Sequence, residues 1–412
     1  MAERLARRLG LGNAVAVGLG SMVGAGVFVA FAPAAQSAGS LLWLALLLAA
    51  AVAYCNASSS ARLAARYPES GGTYVYGRER LGPFWGYLAG WAFVAGKLAS
   101  CAAMALTVGA YLWPAAMRPV AVATVAGVTA LNYVGVHRSA AAARVIVSLV
   151  LVVLGAVVLA AWSAPAADGT LTGDPPGWPG VLQAAGFLFF AFAGYARIAT
   201  LGEEVRDPAR TIPRAIALAL TLAVAVYAVV GSAVVHALGL DELASATAPL
   251  VEAVRAGGQG WLVPAVRCGA TLAAVGSLLA LVLGVSRTVL AMARDGHLPR
   301  ALDRVHPVHR VPHRAELAVG ALVAAMVTAG DLRPAIGFSA VCVLAYYAIA
   351  NASAWTLDQS PTRRIVPAAG VVGCVAVGAS LPAGSVVAGV AVLVAGAASW
   401  LVRRRAGAGS RT

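Results

Sequence analysis

The stretch GLGSMVGAGVF, residues 18–28, places four glycines within eleven residues in the middle of the first apolar segment. A helix that crosses a bilayer would normally carry large apolar residues there. Inside hydrocarbon every backbone N–H and C=O group must find a partner, so irregular backbone at that depth occurs only where it faces protein, water or a ligand. The stretch therefore predicts a discontinuous helix beside a binding site, and it favours transport over simple anchoring.

The composition is that of a polytopic membrane protein. Of the 412 residues, 60% are hydrophobic and only 11% are charged, whereas a soluble domain carries about 25% charged residues. Apolar segments of about 18 residues or more recur along the chain, as a hydrocarbon core about 30 Å thick requires. They predict twelve spans, at residues 12–38, 40–64, 83–113, 117–135, 140–162, 179–204, 212–237, 260–291, 315–330, 333–357, 365–381 and 383–402.

The arginines predict the topology. Most of them fall at positions that these spans place inside, including the cluster Arg403–Arg405, whereas the outside positions hold only Arg118, Arg255, Arg267 and Arg333. This positive-inside pattern predicts a multi-pass protein of the cell membrane with both termini in the cytoplasm. The basic N-terminal residues lead into a full-length span without a small-residue cleavage site, so no cleavable signal is expected.

Several function classes are excluded by pattern. The net charge of +14 is spread over many short loops, so nucleic acid is not an expected partner. The cysteines form no CxxC pair and the histidines have no HExxH spacing; His306, His309 and His313 are close in sequence, but neighbouring prolines indicate a solvated loop. No metal or cofactor is therefore expected. Walker A and GxSxG motifs are absent, so an enzyme is not expected, and no obligate protein partner is evident.

A second interruption is predicted in the sixth span, where FFAFAGY occupies residues 189–195. Two weak points five spans apart are typical of an inverted repeat with a central binding site, because five spans per repeat give the halves opposite topology. The glycines also allow another interpretation, since Gly20 and Gly24 match the GxxxG pattern of close helix packing. Spacing alone leaves both interpretations open.

Four segments, in chain order, resemble the amino acid, polyamine and organocation (APC) transporter superfamily. GSMVGAGVF (20–28) resembles the family's first span, and ARYPESGGTYVYGRERLGPFWGYLAGW (65–91) resembles its loop between spans two and three. FFAFAGYARIATLGEEVRDPARTIPRAI (189–216) is similar to its sixth span and following loop, and SRTVLAMARDGHLPRAL (286–302) to the end of its eighth. The agreement extends to about residue 365 and is specific for the family, not for a substrate.

The resemblance implies an all-α membrane protein with twelve transmembrane helices and the LeuT-type fold, which works by alternating access. In this arrangement the whole chain, 1–412, is one permease domain. The first inverted repeat would occupy residues 12–162 (helices 1–5) and the second residues 179–357 (helices 6–10), with helices 1 and 6 discontinuous. Two extra helices would occupy residues 365–402.

The resemblance also implies the site residues. A half-helix that begins near Gly24 would direct unpaired N–H groups and a positive dipole end at the bilayer centre, which suits a carboxylate. By similarity the substrate carboxylate would be bound by Ser21, Gly24, Ala25 and Gly26. The carbonyls near Met22, Phe192 and Ala193 would bind the α-ammonium, Gly194 would permit the break, and Phe190 or Phe192 would act as a gate or simply pack in the core.

Lys97 is the only lysine among 30 basic residues. It lies at the midpoint of the third span, roughly 22 Å of helix from either end. An ionisable group at that depth is costly and usually faces a cavity, so a functional role is favoured, with a snorkelling side chain on a tilted helix as the alternative. The resemblance sets Lys97 and Cys101, one turn apart, on the wall that faces the substrate.

Two further positions depart from the family. Relatives often carry an acidic residue where this chain has Ala196. Many also carry a lysine, in the place of a sodium ion, at a position that aligns near Val153. We therefore expect Lys97 or Arg197 to supply a coupling or gating charge. Glu203 and Glu204 follow Arg197 by about two turns, and a structural ion pair with them is the alternative.

The sequence thus predicts a secondary active amino acid permease, with a proton as the coupling ion. No acidic residue lies at the centre of a span while two basic residues do, so neutral or acidic amino acids are favoured over cations. The alternatives within transporters are an exchanger or an amine or polyamine uniporter. A channel or a non-transporting nutrient sensor is the alternative of another class.

Overall fold

The computed structural model describes residues 10–67, 71–135, 140–167, 177–195, 198, 205 and 207–409, and only the helical backbone of residues 140–143, 208–209 and 405–409. Its helices follow the predicted spans in order, and the spans keep their predicted numbers. Span 1 consists of Leu11–Met22, Ala25–Val29 and Phe31–Ala38. Spans 2 to 12 contain the helices Leu42–Arg66, Pro83–Leu112, Met117–Tyr133, Ala140–Trp162, Trp178–Phe192, Pro208–Ser245, Val263–Arg294, His313–Ala329, Leu332–Trp355, Pro361–Ala379 and Ala383–Gly409.

The predicted all-α membrane fold is confirmed. Within the described residues, eleven helical stretches are long and apolar enough to cross a membrane. Span 9 is the exception, because its helix has 17 residues and a straight crossing needs about 20. That span 9 crosses the membrane as the twelfth helix therefore stays a prediction.

Two short α-helices connect spans within the part of the chain that the structure describes. Thr73–Leu81 lies between spans 2 and 3 and ends at Gly82, whose φ of 107° lets the chain turn directly into Pro83 at the first position of span 3. Pro249–Ala256 lies between spans 7 and 8. Span 7 is longer than predicted: its helix continues to Ser245, with a kink at Gly239, where φ is 70°.

Spans 3 and 10 form the centre of the bundle. In their apolar stretches 72% of the residues are buried, against 22% in spans 4 and 11 and 17% in span 12. Their sequences agree with this position, since small residues such as Gly96, Ser100 and Ser339 let the two helices approach closely. The Oγ atoms of Ser100 and Ser339 are 2.6 Å apart. Spans 11 and 12 pack on the outside, against spans 2, 3 and 10.

The neighbours of spans 1 to 10 follow a regular pattern. Span 1 packs against spans 5 and 7, and span 6 packs against spans 10 and 2. Span 3 packs against spans 4, 9 and 10, and span 8 packs against spans 9, 4 and 5. The pairs 2 with 7, 3 with 8 and 4 with 9 are also in contact. When every span number is shifted by five, each of these pairs corresponds to another observed pair or to itself. For example, the pair 1 with 5 corresponds to the pair 6 with 10.

Candidate functional site

The first helix is interrupted where the glycine-rich stretch predicts it. The helix ends at Met22, and Val23 has φ −76° and ψ 56°. The amide of Gly24 donates to the carbonyl of Met22 at 2.7 Å, which makes an inverse γ-turn centred on Val23. The helix begins again at Ala25. The break is therefore a tight turn at Val23 and Gly24, the two residues between the helical segments.

The second interruption lies directly against the first. The helix of span 6 ends at Phe192, and Ala193–Tyr195 forms one 3-10 turn. A Cβ on Gly194 would overlap the carbonyl of Ser21, and a Cβ on Gly26 would lie 2.5 Å from the Cα of Ala191. Gly194 and Gly26 thus let the two backbones touch, whereas Gly20 and Gly24, the GxxxG pair, lie against the side chains of Val147 and Ser277.

The second half of span 1 presents open donors at this contact. The first turn of a helix leaves its N–H groups without intrahelical acceptors, here those of Ala25, Gly26 and Val27. The amide of Ala30 donates to Gly26 O at 2.9 Å, so the helix continues with little interruption into Phe31–Ala38 and its dipole adds to the positive end. The hydroxyl of Ser21 donates to Val17 O at 2.9 Å. The arrangement suits a carboxylate held by main-chain groups.

Tyr227 on span 7 joins the two broken helices, and sequence reasoning missed it. Its hydroxyl lies 2.7 Å from the carbonyl of Met22 and 2.9 Å from that of Ala191. The side chain is fully buried, and its ring packs against Phe192 with centroids 5.0 Å apart. A lone tyrosine in an apolar span was the available signal, because a buried phenol must find a polar partner.

Replacing this tyrosine tests the junction. We expect Tyr227→Phe to lower the unfolding temperature, because leaving a buried carbonyl unpaired costs about 1–3 kcal/mol. The matched control is Tyr54→Phe, since Tyr54 is 49% exposed on span 2. Thermal unfolding in detergent measures the effect. Equal behaviour of the two variants would contradict the junction.

Comparison with known proteins identifies the family. A profile of the amino acid permeases matches residues 9–402. The chain belongs to the amino acid permease family. The permease is therefore a multi-pass membrane transporter of the APC superfamily, and the expectation from the sequence motifs is confirmed.

Its relatives differ in their named substrates. An uncharacterized transporter of Mycobacterium tuberculosis is 64% identical over 407 residues, 98% of this chain and 92% of the relative. The branched-chain amino acid permease BcaP of Bacillus subtilis is 26% identical, and the match covers 81% of this chain and 76% of the relative. The vacuolar cationic amino acid transporter 2 of Arabidopsis thaliana is 28% identical, and the match covers 87% of this chain and 61% of the relative.

The aromatic residues beside the break of the permease have different environments. Phe192 is fully buried against Tyr227, whereas Phe190 keeps 8% of its surface exposed. The carbonyl of Met22 already accepts from Gly24 N and Tyr227 Oη. An α-ammonium at Met22 would have to replace one of these donors. Of the two predicted gate residues, Phe190 has the freer side chain and Phe192 has a packing role.

Lys97 lies at the middle of span 3 and is 7% exposed. No hydrogen bond or ion pair joins its ammonium to another part of the described chain. Its helix face continues through Cys101, which is fully buried, to Met104 and Val108, and Val108 contacts Ala25 at the break. Lys97 and Cys101 therefore lie on the helix face that leads to the break. Val108, further along that face, is the residue that contacts the break.

Glu316 is a second buried charge that sequence reasoning missed. It lies in the first turn of span 9, is 0% exposed, and neither carboxylate oxygen has a hydrogen-bond partner among the described residues. Arg287 on span 8 lies near enough to act on it electrostatically. Its position near the predicted start of the span, at residue 315, made it look like an interfacial residue. In the described chain, Lys97 and Glu316 are the two charged side chains that are buried.

The other predicted coupling residues, Arg197, Glu203 and Glu204, lie outside the described residues. Val153, which aligns near the lysine of many relatives, packs against Gly269 of span 8: a Cβ on Gly269 would lie 2.8 Å from its Cγ1. An aliphatic contact between spans 5 and 8 therefore fills that position.

A polar network joins the short helix Thr73–Leu81 to the ends of spans 8 and 12 that the predicted topology places in the cytoplasm. The hydroxyl of Tyr74 donates to the carboxylate of Asp295 and lies 2.8 Å from Nδ1 of His297. Arg403 donates to Gly296 O at 2.9 Å. Burial and the bond to Asp295 raise the pKa of Tyr74, while burial, Arg403 and Arg78 lower the pKa of His297. Tyr74 therefore stays a donor at neutral pH, and the network holds this end of span 8 to span 12.

Proposed function

We propose that the permease imports neutral or acidic amino acids by alternating access, coupled to protons, with the site at the contact between the two broken helices. The observation that carries this proposal is the direct backbone contact at Gly194 and Gly26, where a helix N-terminus meets the carbonyl end of another helix. Such a junction offers donors for a carboxylate and acceptors for an ammonium group within one small region. These are the two charges that every free amino acid carries.

The neighbour pattern of the spans supports two inverted repeats, 12–162 and 179–357. Most of the helix contacts map onto one another under a shift of five spans, although those of Ala25–Val29 with spans 3 and 8 have no counterpart at span 6 among the described contacts. Such a pattern is expected when two five-helix units pack in equivalent ways. Spans 11 and 12 have no counterpart in the pattern and lie outside it. We therefore propose that the two repeats move against each other around the broken helices, with both termini in the cytoplasm.

The proposed substrate charge rests on the buried groups. Lys97 is a buried cation without a described counterion near the centre, whereas Glu316 lies at the end of its span. A cationic substrate near Lys97 would meet repulsion in a medium of low dielectric constant, and a neutral or acidic one would not. Among the relatives, the Bacillus subtilis permease is named for branched-chain amino acids, whose side chains are neutral, and the Arabidopsis thaliana protein for cationic ones. The central lysine favours the first group.

A ligand screen tests the substrate class. We expect neutral or acidic amino acids to raise the unfolding temperature of the purified permease, because a ligand that binds only the folded state stabilises it. Arginine and putrescine should leave that temperature unchanged. Tight binding of either cation, with glutamate and the neutral amino acids silent, would contradict the ranking.

Counterflow in proteoliposomes then separates the function classes. Substrate loaded inside should accelerate entry of labelled substrate, as a carrier with one alternating site requires. A channel would give flux without this acceleration, and a sensor would give binding without flux. Uptake that follows an imposed pH gradient would support proton coupling, and obligatory exchange without net uptake would point to the exchanger.

A further inference from the structure

A cavity of about 130 Å³ lies at the ends of spans 3 and 8 that the topology prediction places outside. Its walls include Tyr111 from span 3, Glu252 and Arg255 from the helix Pro249–Ala256, and Arg267 from span 8. Arg255 is exposed, so the cavity reaches the surface. The volume corresponds to about four water molecules, enough for the charged head of an amino acid.

The charged side chains of this cavity form few contacts with the rest of the described chain. In the chain as far as it is described, neither Arg255 nor Arg267 forms an ion pair within 4.0 Å. The Nε atom of Arg267 is buried and has no hydrogen-bond partner among those residues. Glu252 accepts only a long bond, 3.4 Å, from the amide of Ala248. By contrast Arg118, at the same predicted side of the membrane, donates to Asp331 at 2.8 Å.

The cavity lies directly above the broken helix. Tyr111 lines it and donates to the carbonyl of Phe28 at 2.7 Å, while Pro249–Ala256 packs on Ala25–Val29. Below it, Ala25, Val108 and Ala274 form a small buried apolar cluster. Ala274 is seven residues after Arg267, so this cluster lies roughly 10 Å deeper along span 8.

Thr271 marks the path between the two levels. It lies one turn after Arg267 on the same face of span 8, and its hydroxyl is buried without a partner among the described residues. Further along span 8, Ser277 lies against Gly24, where a Cβ would overlap its Oγ. Thr271 thus extends the polar lining one turn inward from Arg267, while Ser277 at the break lies roughly 120° further around the same helix.

We propose that this cavity is an outer docking site for the zwitterionic head of an amino acid, with the carboxylate on Arg267 and the ammonium near Glu252. The guanidinium group binds carboxylates in a bidentate manner, and no described acidic side chain forms an ion pair with that of Arg267. Two arginines against one glutamate give the cavity a charge of +1, which favours acidic and neutral substrates over cationic ones. The apolar cluster below separates this site from the central one. The inference rests on the proposed amino acid transport.

The test is exchange in proteoliposomes with substrate varied on one side at a time. We expect Arg267→Gln to raise the external KM by about tenfold, because a charge-assisted bidentate contact is lost. The maximal rate and the internal KM should stay unchanged, and Arg267→Lys should recover part of the loss. Arg118→Gln is the matched control and should leave both KM values unchanged.

A second measurement uses the wild-type permease. Higher external salt should raise its external KM, since part of the attraction is electrostatic, and should have little effect on Arg267→Gln. An unchanged external KM in Arg267→Gln, or an equal rise on both sides, would overturn the outer site. If the wild type exchanges no amino acid at all, the proposed function itself fails. Exchange by the wild type with an unaffected variant refutes the docking site alone.

Discussion

Amino acid exchange is expected to be lost when Gly194 is replaced by alanine. The new Cβ would overlap the carbonyl group of Ser21 and approach Met22 N to 2.7 Å. These are main-chain atoms of the other broken helix, so no side-chain rotation relieves the overlap. The two interruptions would have to separate, and the donors and acceptors of the proposed site would no longer face one region.

The matched controls are Gly155→Ala on span 5 and Gly284→Ala on span 8, where a Cβ would meet no atom within 4 Å. Both should fold normally, and alanine is favoured over glycine in a helix by about 1 kcal/mol. Thermal unfolding of all three variants distinguishes loss of the site from loss of the fold. Normal exchange by Gly194→Ala would show that the broken helices do not depend on this contact.

The second large effect is expected at Lys97. Lys97→Met keeps the length of the side chain and removes its charge. We expect exchange to fall at least about tenfold, because a costly buried charge at this depth is kept for its function. The pH dependence of the remaining uptake should flatten if Lys97 takes part in coupling. Lys97→Ala should resemble the methionine variant, whereas Lys97→Arg keeps the charge and should retain more activity.

The measurement is uptake at several external pH values, with the unfolding temperature as a check on folding. A buried lysine kept only for packing would give a stable methionine variant with wild-type uptake, because methionine fills similar space. Unchanged uptake and unchanged pH dependence in both Lys97→Ala and Lys97→Met would remove the proposed role. Glu316, the other buried charge, would then be the group to test for coupling.

The sequence predicted the parts of the fold that depend on hydropathy and on glycine. Span positions follow from apolar length, and the break at Val23 to Gly24 follows from residues that tolerate close backbone contact. The ends of helices were less accurate, as span 7 shows, since a positive φ at Gly239 lets the helix resume after a kink. Arg197, Glu203 and Glu204 stay predictions.

Residues that act through tertiary contact were harder to predict. Tyr227 stands in an apolar run, and only the fold shows that its hydroxyl meets two carbonyls from different spans. Glu316 looked interfacial because its burial depends on how span 9 packs, not on its distance from the end of the apolar segment. The outer cavity is lined by spans 3 and 8 and by a helix between spans 7 and 8. These segments are distant in sequence, so no local sequence pattern predicts that they lie together.

The hydroxyl of Tyr227 has a consequence in the counting of hydrogens. It lies within bonding distance of two carbonyls, Met22 O and Ala191 O, but it carries one hydrogen. Met22 O also accepts from Gly24 N, so the single hydrogen can serve Ala191 O while Met22 O stays paired. Rotation about one C–O bond would move this hydrogen bond from one broken helix to the other, so the junction should stay bonded during small relative movements of the two helices.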